Sequence, residues 1–107
     1  MDEKTVLEDI SLQMISAINE ARGCYLKAVQ ASRTKEFTAA RKLIADGDER
    51  YNAGHAAHLQ LLQLEAAGNL SKVNLLIMHA EDQLMSTEGY KVLAIESIHI
   101  YEAIANK

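Results

Sequence analysis

The sequence predicts an all-α domain, and three observations carry that prediction. Proline is absent from the 107 residues, where average usage of roughly 5% would place about five. The chain is rich in Ala, Leu, Glu, Lys and Gln, all strong helix formers, with only 5 glycines and 5% aromatic residues. Apolar residues recur at steps of three and four along three long segments, the spacing of a helix with one buried face. The length sets one domain, residues 1–107, with a real but modest core.

The first helical pattern runs from about Thr5 to Ala31, with Ile10, Met14, Ala17, Ala21, Cys24 and Ala28 as its apolar stripe. Ser32-Arg33-Thr34 interrupts it, and Thr34 is the expected N-cap of the second helix. The second pattern spans Lys35 to Ala67. Gly68-Asn69 is a C-cap signal. The third pattern begins beyond it, with Ser71 as its expected N-cap, and continues to about Ala105. Asp46-Gly47-Asp48 admits two readings. It is a turn that splits the second helix, or one glycine inside an unbroken helix at a cost of ~1 kcal/mol. Helices of ~30 residues are ~45 Å long, and short connections make them antiparallel neighbours. Three such helices leave the third, apolar nearly all round at Leu75 to Met78, partly uncovered. That surface calls for an oligomer in which it faces a partner subunit.

The formal net charge of −4 gives no electrostatic footprint for nucleic acid and no polybasic membrane patch. The single cysteine, Cys24, excludes an internal disulfide and reads as a small buried residue. No signal peptide or membrane span is evident: no unbroken apolar run exceeds that of Leu75 to Met78, far below the ~20 residues needed. A soluble, cytoplasmic protein is expected.

The most informative stretch is His79-Ala80-Glu81-Asp82-Gln83-Leu84-Met85, inside an otherwise apolar helical stretch from Val73 to Met85. It sets His79 and Asp82 three apart, as neighbours on a helix surface. His79 is either a ring satisfied by a neighbour, a metal ligand, a general base, or a nucleophile that carries a phosphoryl group. Two ligands are too few for zinc, whereas a neutral imidazole has a free ring nitrogen near pH 7. Asp82 falls between Met78 and Met85 on the apolar stripe, where a lone charge is costly. It is either ion-paired with another helix, or one of several copies meeting on a rotation axis around a hard cation. His55 and His58 are one turn apart and read as polar surface or interface residues, and His99 as structural. There is no Gly-rich phosphate loop, Cys-x-x-Cys or Ser-His-Asp pattern.

The segment His79 to Met85 resembles the His-Ala-Gln-Asp-His-Leu-Met signature of the lactose/cellobiose-specific enzyme IIA family, part of the bacterial phosphoenolpyruvate:sugar phosphotransferase system. Ala21-Arg22 matches the Ala-Arg of that family's first helix. Phe37 with Ala39-Ala40 is similar to the Gly-Asp-Phe-x-x-Ala start of its second, and Asn52 and His55 match an Asn-x-Ala-His element there. The resemblance covers essentially the whole chain.

It implies an antiparallel three-helix bundle, with one long second helix across Asp46-Gly47-Asp48, assembling as a homotrimer. It implies that His79 is phosphorylated by the phosphohistidine of HPr and passes the group to the cysteine of enzyme IIB. Enzyme IIB in turn phosphorylates a lactose/cellobiose-type disaccharide as the membrane component, enzyme IIC, brings it in. It implies that three copies of Asp82 meet one divalent metal ion per trimer, taken as Mg2+, with no organic cofactor. Four positions depart from the family pattern. Glu81 stands where the family usually has Gln, and Gln83 where it usually has His; His58-Leu59 replaces Gln-Thr. Gln83 shares the His79 face at i+4 and can donate a hydrogen bond, but cannot carry charge.

Two other functions compete. A histidine phosphotransfer domain of two-component signalling is also a helical bundle, but its motif resembles His-x-Leu-Lys-Gly. Here no lysine comes after His79 until Lys91. A non-catalytic helical interaction module would use His79 and Asp82 as a structural pair.

Overall fold

The computed structural model describes residues 2–69 and 74–107, and every element among them is helical. The order is α1 (Glu3–Arg33), α2 (Phe37–Ala66) and α3 (Leu75–Ala105). They form an elongated antiparallel bundle of 58 × 19 × 17 Å, in which α1 packs closely along both other helices while α2 and α3 meet more sparsely. α2 is unbroken through Asp46-Gly47-Asp48, so the continuous-helix reading holds.

The helix ends obey local chemistry. Asp2 caps α1, its side chain accepting from the Thr5 amide at 2.8 Å. Asn74 caps α3 in the same way, accepting from the Ile77 amide at 2.9 Å. Ser71, the expected cap, lies outside the described residues. Thr34 corrects a second expectation: it is the C-cap of α1, and Glu36 occupies the N-cap position of α2 without a side-chain cap bond. The reason is the backbone at Lys35, which turns left-handed at φ 65°. The Glu36 amide then reaches the Ala31 carbonyl at 2.9 Å and the Lys35 amide the Ser32 carbonyl at 3.1 Å. These are the paired bonds of a Schellman ending. α2 ends by the same device on Gly68 at φ 78°, with Asn69 bonded back to Leu64 at 2.8 Å.

Burial keeps to steps of three and four residues. In α1 the buried series includes Leu7, Ser11, Met14, Ile18, Ala21, Tyr25, Ala28 and Ser32. The expected stripe is therefore displaced: Ile18 and Tyr25 take the core positions, and Ala17 and Cys24 are half-buried. Two small serines, Ser11 and Ser32, are buried in this series. The Ser32 hydroxyl stays inside by donating to the Ala28 carbonyl at 2.8 Å. In α3 the buried series runs Ile77, Ala80, Leu84, Thr87, Ala94 and Ile98.

Two glycines let α2 approach α1. A Cβ at Gly47 would stand 2.6 Å from the Tyr25 ring, and one at Gly54 would overlap the end of Ile18. They are seven residues apart, two helical turns on one face.

Candidate functional site

The opening turns of α3 sort their side chains in four directions, which a helix of 3.6 residues per turn imposes. Ile77, Ala80 and Leu84 point into the core. Glu81 turns towards α2, His79 and Gln83 lie on the flank near α1, and Met78, Asp82 and Met85 face outwards.

His79 is exposed, flanked by Leu75 and Leu76 at a shallow apolar cleft. It stands in the second turn of α3, on backbone anchored by the Asn74 cap. A helix-borne ring open to solvent can act as a nucleophile without moving the chain. Its neighbour at i+4, Gln83, accepts a hydrogen bond from Arg22 Nη2 on α1. Arg22 also donates to Asn19 Oδ1 at 3.1 Å, and its guanidinium carbon stands 5.5 Å from the centroid of the Tyr90 ring. A half-buried cation is thus held against Gln83, the residue one turn from His79 along α3. Arg22 lies 61 residues from Gln83 in the chain, so no local pattern could pair them.

Glu81 is placed apart from His79. Its carboxylate lies 2.7 Å from His58 Nδ1 on α2. His58, expected as a polar surface or interface residue, is half-buried in the α2–α3 groove. The pair explains why a carboxylate at 81 and a histidine at 58 occur together. His55 is exposed, its ring 5.7 Å from that of His58 and stacked on Tyr51 at 6.5 Å. His99 is exposed beside Glu96 at 4.0 Å and supports no core; α3 shows it to solvent because Ile98 takes the buried position.

Asp82 is exposed, between Met78 at 58% and Met85 at 71% exposure. The same outward stripe carries Leu75, Val92, Leu93, Ile100 and Ile104, all exposed by more than half. Among the described residues, no ion pair to another helix is formed by the Asp82 carboxylate. Among them, too, no group of three His, Cys, Asp or Glu side chains within one chain is placed to hold a metal. No described helix is long and apolar enough to cross a membrane.

Comparison with known proteins agrees over nearly the whole chain. Residues 9–102 match the family model described as the lactose/cellobiose-specific IIA subunit of the PTS system. The oligo-β-mannoside-specific EIIA component of Bacillus subtilis is 36% identical over 95 residues, covering 89% of this chain and 86% of that protein. The lichenan-specific enzyme IIA component of the same organism is 32% identical over 101 residues, covering 94% and 92%. The crystal structure of the cellobiose-specific enzyme IIA of Bacillus anthracis superposes with a TM-score of 0.89 at 29% identity, over 92% of this chain and 91% of that one. The sequence, the three-helix fold and these matches agree: the chain belongs to the lactose/cellobiose-specific enzyme IIA family of the sugar phosphotransferase system.

Proposed function

We propose that the protein is the phosphoryl carrier of a sugar phosphotransferase system, and that His79 is the residue that carries the group. The observation that carries this reading is the placement of His79: solvent-exposed, on a capped and rigid helix, beside an apolar cleft. Phosphoryl transfer asks a protein mainly for positioning and electrostatics. A neutral imidazole nitrogen attacks the phosphorus of the phosphohistidine of HPr. The N–P bond to HPr breaks as the N–P bond to His79 forms. In the second transfer a cysteine thiolate of enzyme IIB attacks, an S–P bond forms, and the His79 ring leaves neutral after taking up a proton. Enzyme IIB then serves enzyme IIC, which takes up a lactose/cellobiose-type disaccharide. The relatives, named for oligo-β-mannosides, lichenan, lactose and N,N'-diacetylchitobiose, make β-linked sugars the class expected. The carrier itself need not touch the sugar.

The outward stripe of α3 supports assembly as a homotrimer, since seven large apolar side chains stand exposed along it. Asp82 fits a metal on the trimer axis: it offers one hard oxygen donor per chain from the middle of that stripe. Three Asp82 carboxylates would hold one divalent cation, Mg2+ by this reading. That cation would supply the positive charge that lets three carboxylates meet in an apolar interface. His79 needs no organic cofactor.

Intact-mass spectrometry after incubation with phosphoenolpyruvate, enzyme I and HPr tests the relay. One acid-labile phosphoryl group on wild type and none on His79→Ala is the expected result. An unlabelled wild type, in a mixture that labels a competent enzyme IIA, overturns it.

A further inference from the structure

Gln83 has two ends, and the structure occupies only one of them with a cation. Its amide oxygen accepts from Arg22 Nη2. The opposite rotamer of the amide would set N–H against N–H, so Arg22 dictates which end is which. The amide nitrogen, a donor only, is left for other contacts. Gln83 is one turn from His79 on the same flank of α3, at the i, i+4 spacing that brings side chains together.

Arg22 is itself held on three sides. Asn19 accepts from the same nitrogen at 3.1 Å, Gln83 accepts across the helix interface, and the Tyr90 ring lies beneath the guanidinium at 5.5 Å. A guanidinium fixed by two acceptors and a ring face has little rotamer freedom left to lose. Hydrogen bonding to a cation also polarises an amide, making its N–H groups stronger donors.

We infer that Arg22 is a positioning residue for the phosphorylated state of His79, acting through Gln83, which it turns so that its amide N–H groups face the phosphoryl oxygens. This rests on the reading of His79 as the phosphoryl carrier. The ground state of a phosphohistidine concentrates negative charge on its three outer oxygens. The loose transition state of P–N cleavage spreads that charge and is metaphosphate-like. A donor aimed at those oxygens therefore stabilises the phosphohistidine more than its cleavage transition state and slows its loss to water. Arg22 supplies the orientation that a neutral glutamine lacks by itself.

The test uses phosphoramidate, a small donor that phosphorylates histidine without a protein partner, alongside phospho-HPr. Wild type, Arg22→Ala, Arg22→Lys, Gln83→Leu and the double variant Arg22→Ala/Gln83→Leu are compared. The readouts are the 31P shift of the phosphohistidine and its hydrolysis half-life at neutral pH. Each single loss is expected to move the shift and shorten the half-life by roughly fivefold, the scale of one net hydrogen bond. The double variant is expected to be no worse than Gln83→Leu, because the two act in series. Arg22→Lys keeps the charge without the planar fork and is expected to lie between wild type and Arg22→Ala. Arg22→Ala or Arg22→Lys variants that match wild type in both readouts overturn the inference. So does an equal loss from Arg22→Ala with and without Gln83, which would mean that Arg22 acts independently. Labelling by phosphoramidate but not by phospho-HPr overturns the relay reading alone, and the half-lives still judge Arg22. Labelling of His79 by neither donor overturns both.

Discussion

The Tyr25 hydroxyl on α1 donates to the Asp48 carboxylate on α2 at 2.7 Å, and the Lys91 ammonium on α3 meets the same carboxylate oxygen at 3.0 Å. One acidic side chain thus ties all three helices at mid-height. Tyr25 is fully buried. Burial first, and then the hydrogen bond to Asp48, push its hydroxyl well above the ordinary tyrosine value of 10.0. The folded state therefore keeps a proton that the unfolded chain loses above about pH 10. The stability this contributes is complete below about pH 10 and drains away as pH rises towards the folded value, by up to ~1.4 kcal/mol per pH unit. Tyr51 is pushed in the same direction by burial and the Glu88 charge. Denaturant melts from about pH 8 to about pH 11, spanning the free tyrosine value, should show a steep alkaline loss in wild type. Tyr25→Phe should flatten that loss, at a cost near neutral pH of about 1–2 kcal/mol for the bond removed. An unchanged alkaline slope would refute the assignment.

Gly47 is expected to resist replacement despite lying inside a helix. Alanine there would gain up to ~1 kcal/mol of helix propensity. Its Cβ, however, would stand 2.6 and 2.9 Å from two carbons of the Tyr25 ring, which cannot bend away as an alkyl end can. Overpacking of this kind costs about 1–3 kcal/mol, so Gly47→Ala should lower the melting midpoint. A Cβ at Gly23 would meet nothing within 4 Å, and Gly23→Ala should stabilise the helix by ~0.5–1 kcal/mol. Thermal melts of the two variants side by side separate close approach from propensity.

The two helix endings offer a matched pair. Lys35 holds φ 65° and Gly68 φ 78° in the same Schellman geometry. A residue with a Cβ is strained there by ~1–2 kcal/mol. Lys35→Gly should therefore stabilise the bundle by ~0.5–1 kcal/mol once the freer unfolded chain is counted, and Gly68→Ala should destabilise it by a similar amount. Equal midpoints for Lys35→Gly and wild type in urea would show that the turn is not strained.

Asp82→Leu separates the metal from the assembly. If three carboxylates hold a cation on the axis, wild type should carry metal and loosen in chelator. The leucine variant should bind none and sediment identically with and without chelator, because its stripe from Leu75 to Ile104 would then be apolar at that point too. Sedimentation and metal content that are both unchanged by the substitution would sink the axial-Asp reading.

Much of the bundle is legible in the sequence. Apolar steps of three and four, the absence of proline and Gly68-Asn69 mark three helices and one of their ends. The exposed stripe of α3 shows as surplus apolar character between Leu75 and Met85. Thr34 misleads because Ser and Thr serve at either end of a helix, and only the left-handed backbone at Lys35 decides which. Cys24 and Ala17 read as core because they are apolar. Ile18 and Tyr25, one position on, fill more volume and take the seam.

The sequence by itself determined the helical segments, apart from whether Asp46-Gly47-Asp48 breaks the second, their antiparallel order, and the presence of His79 and Asp82 as neighbours on the third. Those are local or periodic properties, written in residues a few positions apart. Only the tertiary structure decided what surrounds them: Arg22 against Gln83, His58 against Glu81, Tyr25 and Lys91 on Asp48. Each of these pairs joins different helices across at least 23 residues of chain. Their meeting depends on how far each helix is rotated and raised against its neighbour. Between α1 and α2 that fit includes the close approach of Gly47 and Gly54 to Tyr25 and Ile18, which no single segment of the sequence contains.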